Sequence, residues 1–373
     1  MTPKRYPPID PTTERRNRQF GAYIGAAIGD AMGGPVETSH ADRIRRLAGK
    51  IDGLLPYSRP YTRHDSPRAG YALRFDAGAV TDDTFIRADL TRFLLETELP
   101  RTPRRLVDWC LARADFSMWW PPIVEGLRRV ERGDVSPENA GDSFFQGGGI
   151  GWWTPIGIVH AGDPNAAADE SRNLCRIWKA PLERDFLAAT QAAVAEGLRP
   201  GADVDSMIQA MYSQCGSLAG KLLDRALMTS RKARNVDDLI DRMYRTMLMP
   251  EMDRMHEIEP PRQRDAPMPE RTSPRETDDA YLSCFFAEQV PVALACFAHC
   301  RGEPDAIPTA VMFGRDCDSI ATTVGSWVGA LYGESGLPAE WSRTVCTVNL
   351  PEVDIRGLAE SLIRLSEDWG LTA

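Results

Sequence analysis

Glycine recurs at every fourth position twice in this chain, at Gly21, Gly25, Gly29 and Gly33, and again at Gly325, Gly329 and Gly333 after Ala321. That spacing puts each set on one face of a helix, where the missing side chains let another backbone come close. A glycine inside a helix costs about 1 kcal/mol relative to alanine, so several in register need a packing or functional reason. Tight helix packing alone is one. A second lies at the ends of the stripes. The first runs through Asp30 and Gly34 to Glu37, and the second follows Asp318-Ser319 directly. Close-packed backbones hold the polar groups at their ends in fixed positions, as a catalytic site requires.

From Phe20 onward the apolar pattern is helical and strand-like alternation is scarce. It predicts helices at 20–33, 41–49, 82–98, 103–114, 121–132, 136–144, 165–178, 183–197, 203–213, 217–228, 236–247, 279–300, 304–313, 318–332 and 355–368. Residues 1–18 read as a disordered, Pro-rich arm, and 249–278 as a polar, Pro-rich surface excursion or lid. No period of 20–50 residues repeats. The expected architecture is one all-α domain over 19–373.

Two acidic clusters begin predicted helices, Thr81-Asp82-Asp83-Thr84 and Asp316-Cys317-Asp318-Ser319. Either alone is explained by helix capping, because Thr81 is a good N-cap and first-turn aspartates complement the helix dipole. Two such clusters, one of them at the start of a glycine-striped helix, suggest a ligand set. Oxygen-only donors suit hard cations such as Mg²⁺ or Mn²⁺. If the clusters face each other, four carboxylates balance two divalent ions, the ligand supply of a two-metal hydrolytic centre. Thr277-Asp278-Asp279 copies the first cluster in letters but has no glycine stripe nearby, and reads as a cap.

The segment Gln146-Gly147-Gly148-Gly149-Ile150-Gly151-Trp152-Trp153 has two readings. It is an interhelical loop with two core tryptophans, or a backbone surface for phosphate with Trp152 or Trp153 stacking on a base. It has neither the lysine of a P-loop nor the spacing of a dinucleotide fingerprint. No histidine sits in a recognisable nucleophile motif. Glu37 is the best single carboxylate for general-base or gating work.

A net charge of −9 argues against a nucleic-acid surface. Eight cysteines without a CxxC pair read as reduced thiols of a cytoplasmic protein. The first residues carry no apolar stretch of the kind a secretion signal needs. The most apolar run, 281–300, contains Glu288, Gln289, Pro291 and His299 and reads as a buried helix rather than a membrane span.

These pieces together resemble the ADP-ribosylglycohydrolase family, which includes the dinitrogenase reductase-activating glycohydrolase. The resemblance runs through Gly21, Gly25, Gly29-Asp30-Ala31, Gly34 and Glu37, then Thr81-Asp82-Asp83-Thr84. It resumes at Gly314, Asp316, Asp318-Ser319 and Ala321, with Gly325, Gly329, Ala330 and Gly333 following, and is echoed in Leu337-Pro338-Ala339-Glu340-Trp341. It implies a compact, single-domain orthogonal helical bundle and a binuclear Mg²⁺ or Mn²⁺ site. Thr81, Asp82 and Asp83 would form one metal arm, and Asp316, Asp318 and Ser319 the other. Asp83, Glu37 and Asp316 are the expected catalytic residues. Asp30, Gly147, Gly148, Gly149, Gly151, Trp152 and Trp153 are the expected substrate-side residues. The implied reaction is hydrolysis at C1″ of an ADP-ribosyl group joined to an acceptor such as arginine or serine. The same chemistry on a small ribosylated or nucleotide-derived metabolite, and a non-catalytic ADP-ribose binder, are the rival readings. Departures from the family pattern fall on the acceptor side. Serine stands at 319 where threonine is common, Arg315 and Cys317 replace smaller or neutral residues, and Gly151-Trp152 occupies the place of a Met-Arg pair.

Overall fold

The two glycine faces lie against each other. In a computed structural model, which describes residues 11–37, 39–57, 76–143, 149–247 and 285–370, the first stripe lies on α1 (Pro11–Gly33) and the second on a helix spanning Cys317–Tyr332. A Cβ placed on Gly25 would sit 2.3 Å from the carbonyl oxygen of Gly325, and one on Gly329 would sit 1.9 Å from that of Gly21. Gly29 meets Ala321 and Gly33 meets Asp318 in the same way, so the helices run antiparallel with their backbones touching. Only glycine permits this approach, which answers the helix cost of the stripes.

Around this pair the chain is all-α, and no strand occurs among the described residues. After α1 come α2 (Ala41–Ala48), α3 (Asp82–Glu96), α4 (Pro103–Arg113), α5 (Pro121–Glu131), α6 (Thr154–Val159), α7 (Pro164–Leu174) and α8 (Pro181–Gly197). Then follow α9 (Val204–Ser213), α10 (Ser217–Lys232), α11 (Val236–Thr246), α12 (Phe286–His299) and α13 (Ala306–Val311). The glycine-striped Cys317–Tyr332 is α14, and α15 (Ala339–Val348) and α16 (Ile355–Gly370) close the chain. Residues 286–297 of α12 and 317–331 of α14 are buried on every side, as is α1 from Gly21 to Gly33. A helix apolar around its whole circumference belongs in a core, and these three lie in it together with α8, which is buried throughout from Phe186 to Gly197. Amphipathic helices such as α2 and α11 pack their apolar faces inward from outside. No described helix is long and apolar enough to cross a membrane.

Several expectations are corrected here. Residues 11–18, read as arm, are the first turns of α1. They show no apolar periodicity, and polar tertiary contacts hold them instead. Arg16 binds both carboxylate oxygens of Glu367 at 2.8 Å, and Arg18 donates to the carbonyls of Gly197 and Arg199 at 3.0 and 3.1 Å. The helix expected at 136–144 is instead a succession of tight turns ending in a 3₁₀ segment, Ala140–Ser143. There Asn139 N–H bonds to Ser136 and Asp142 N–H to Asn139, three residues back. Gly141 rests on the backbone of Lys179, which no α-helical side chain would allow. Two helices escaped the sequence reading. α6 is only six residues of TPIGIV, too short to show a period. In α15, Thr344, Val345, Thr347 and Val348 lower helix propensity and Pro338 provides no capping side chain. The 249–278 excursion, the third acidic cluster, Gly147 and Gly148 lie outside the described residues.

Candidate metal centre

Thr81 caps α3, its hydroxyl accepting from Asp83 N–H at 3.3 Å. That places Asp82 and Asp83 in the first turn, both buried. Asp316 occupies the N-cap position of α14, with Asp318 and Ser319 in its first turn, again all buried. The antiparallel α1–α14 pair ends here, with Gly33 on the backbone of Asp318 and a 3₁₀ turn, Gly34–Val36, leading to Glu37.

The two arms meet by exchanging hydroxyls. Ser319 Oγ donates to Asp83 Oδ2 at 2.8 Å, and Thr81 Oγ1 donates to Asp318 Oδ2 at 3.1 Å, across separations of 236 and 237 residues. Each arm's hydroxyl therefore binds the other arm's carboxylate. Glu37, Asp316 and Asp318 present carboxylate oxygens within 4.8 Å of one another, with Glu37 the least buried of the three. Gly149 completes the convergence, since a Cβ on it would lie 2.0 Å from Asp83 Oδ1 and 2.6 Å from Ser319 Oγ.

The electrostatics follow from this crowding. Burial, and then the charges of Asp318, Asp82, Asp30 and Asp316, push the Asp83 carboxyl well above the usual carboxylate range. Burial and Asp318 raise Asp30 too, against the pull of Thr84, Arg87 and Thr81. A buried cluster of oxygen donors, rich in carboxylate and poor in cations, fits hard divalent ions by charge and by donor chemistry.

Two expected substrate-side groups have other work. Both oxygens of Asp30 face α3: Oδ1 accepts from Thr81 N–H at 2.9 Å, and Oδ2 from Thr84 N–H at 3.0 Å and from the Thr84 hydroxyl. Asp30 is thus a clamp on the helix start that carries Asp82 and Asp83. Trp152 and Trp153 are buried, stacked on each other at 4.0 Å and set edge-on to Trp178. Their ring faces pack into the core, the first of the two readings made from sequence, while the adjacent Gly149 lies against Asp83 and Ser319 and Gly151 against Thr322 of α14.

Residues 11–372 match the family model described as ADP-ribosylglycohydrolase. The chain belongs to the ADP-ribosylglycohydrolase family. Among curated relatives, the ADP-ribosylarginine hydrolase Tri1 of Serratia proteamaculans (strain 568) is 21% identical over 370 residues, covering 97% of this chain and 83% of that protein. Human ADP-ribosylhydrolase ARH3 is 36% identical over 89 residues, or 21% of this chain and 23% of that protein. YegU of Escherichia coli (strain K12), described as uncharacterized, is 27% identical over 187 residues, 48% of this chain. That match spans about half of the Escherichia coli protein, at 52%. A solved ADP-ribosylglycohydrolase-related protein complex has the same fold, with a TM-score of 0.59, 21% identity and coverage of 95% and 99% of the two chains.

Three residues packed around the acidic arms went unread in the sequence. Gln289 donates to Asp316 Oδ2 at 2.5 Å. Glu288 binds Arg315 through both oxygens at 2.7 and 3.1 Å. Tyr57 lies against Gly34, where a Cβ would fall 1.9 Å from its hydroxyl. The available signal for the first two was a pair of adjacent polar residues in the most apolar helix of the chain.

Proposed function

We propose that this protein hydrolyses the ribosidic bond of an ADP-ribosylated substrate, with two divalent cations, Mg²⁺ or Mn²⁺, held by Thr81, Asp82, Asp83, Asp316, Asp318 and Ser319. The observation that carries the proposal is the reciprocal hydroxyl–carboxylate exchange, which closes two distant acidic arms into one buried donor set. Family membership and the names of the curated relatives support an ADP-ribosyl linkage as the bond attacked.

When bound, such cations supply ligation of vicinal ribose hydroxyls and acidification of a water molecule. The chain's own residues do the rest. Cleavage at C1″ develops oxocarbenium character, and a buried cluster of carboxylates offsets that positive charge. Glu37, partly buried beside Asp316 and Asp318, takes the proton of the attacking water at a carboxylate oxygen and returns one to the departing acceptor in this reading, which its closeness to those carboxylates supports. Asp83 Oδ2 holds the Ser319 hydroxyl and so keeps the arms in register. Asp30 holds the start of α3 against them.

The test is release of ADP-ribose from arginine-linked and serine-linked peptides and from free N-ribosides, with Mg²⁺ or Mn²⁺ and with EDTA. Cation-dependent release from at least one linkage is expected, and turnover of free ribosides alone would assign a small-molecule substrate. Undiminished release by the Asp316→Ala protein, or in EDTA, would sink the metal-centre reading.

A further inference from the structure

The N-caps of α3 and α14 are built differently. Thr81 is held in place by its capping bond, whereas Asp316 makes no side-chain capping bond to its own helix. Its carboxylate is reached instead from a neighbouring helix, α12. Gln289, fully buried, donates its amide to Asp316 Oδ2 at 2.5 Å. The preceding residue, Glu288, grips the preceding residue of the turn, Arg315, at 2.7 and 3.1 Å. Two consecutive helix residues thus engage two consecutive turn residues. The turn itself is unusual: Gly314 and Arg315 both have positive φ, at 75° and 60°. Further bonds from Arg315 N–H to Ser39 O at 2.9 Å and from Tyr244 Oη to Phe313 O at 2.8 Å pin it. A non-glycine residue in left-handed backbone persists only where its surroundings over-determine it, and here they do.

We infer that Gln289 is a positioning residue for Asp316, aiming its carboxylate into the centre, and that Glu288 serves the same end by locking Arg315 and the turn. The chemistry of the two side chains suits the task. A neutral amide donor orients a carboxylate without cancelling the charge that a cation requires, which a lysine or arginine in its place would do. Glu288 meanwhile engages the one guanidinium that lies next to Asp316 in sequence. This inference rests on the metal-centre reading of the preceding subsection.

Calorimetric titration of the full chain with Mn²⁺ alone, with melting temperatures measured in EDTA and in Mn²⁺, tests it. Gln289→Met keeps the shape and removes the donor, while Gln289→Asn withdraws the amide by one methylene. Each is expected to weaken Mn²⁺ binding about 10- to 100-fold, the usual effect of losing a partner that orients a metal ligand. The rise in melting temperature on adding Mn²⁺ should shrink while the value in EDTA changes little, an outcome a merely structural role would reverse. Glu288→Gln, which keeps a hydrogen bond to Arg315 but loses the charge, should weaken binding in the same direction. Wild-type protein that binds no Mn²⁺ would overturn the metal-centre reading and this inference with it. Wild-type binding accompanied by unchanged affinity in the Gln289 variants would overturn this inference alone.

Discussion

Asp83 shows what the centre costs the fold. Its carboxyl is buried among Asp318, Asp82, Asp30 and Asp316 and held well above the ordinary carboxylate range. Asp83→Asn keeps an acceptor for the Ser319 hydroxyl and removes the charge, so in EDTA the variant should melt higher than the parent while turnover is lost. Melting curves and an ADP-ribose release assay check both halves. Asp318→Ala should lower kcat/KM by more than about 100-fold, since even partners of a ligand commonly cost 10–100-fold, and should leave the helical circular dichroism unchanged. The two acidic arms themselves were legible because carboxylates paired with a hydroxyl at a helix start are a local pattern. Asp30 was legible as a position but not as a role: its partners are backbone N–H groups 51 and 54 residues away, and nothing local announces them. Gln289 was hidden by the apolar company it keeps.

Helices were read well wherever one face was apolar over three turns, and poorly where the element was short or its stability came from elsewhere. α6 and the turns before Ser143 are the short cases, and the first turns of α1 depend on Glu367, Gly197 and Arg199. The glycine stripes announced close packing and left the partner unnamed, since a face without side chains complements any backbone. Gly325→Ala tests the α1–α14 contact, because its Cβ would fall 2.0 Å from the Gly25 carbonyl oxygen. Parting two backbones should cost at least the roughly 1–3 kcal/mol typical of overpacking, and activity should fall as the arms at their ends shift. Gly220→Ala is the control. It lies inside α10 with nothing within 4 Å of an added Cβ, and should raise stability by about 0.5–1 kcal/mol. Urea unfolding of the two variants beside the parent separates these outcomes.

At the scale of the whole molecule, both ends of α3 are anchored to distant parts of the chain. Its start is held by Asp30 on α1. Its end is held by Arg101, which donates to the carbonyls of Thr97 and Leu94 at 3.0 and 2.9 Å and pairs with Glu170 of α7 at 3.0 Å. Burial alone would raise the Glu170 carboxyl, but His160 and Arg101 overcome it and hold it below its ordinary value. A lowered carboxylate stabilises the fold above its unfolded pKa and loses that contribution as pH falls through the folded value. Acid unfolding should therefore have a component below the ordinary glutamate value of 4.5 that Glu170→Gln removes. The same variant strands the buried Arg101 charge and should cost about 3–5 kcal/mol near neutral pH. Melting temperature against pH, for parent and variant, tests both the slope and the offset.

The exchange between Ser319 and Asp83 spans 236 residues, and that distance has a temporal meaning during synthesis. At about 5–20 residues per second a ribosome needs roughly 10–50 s to make the intervening polypeptide. Throughout that interval α1 carries a bare backbone face and α3 an acidic arm, with α14 not yet translated to cover either. The meeting of the two acidic arms therefore cannot form until residue 319 has been made, and holding the early segments apart from other chains until then becomes part of making it.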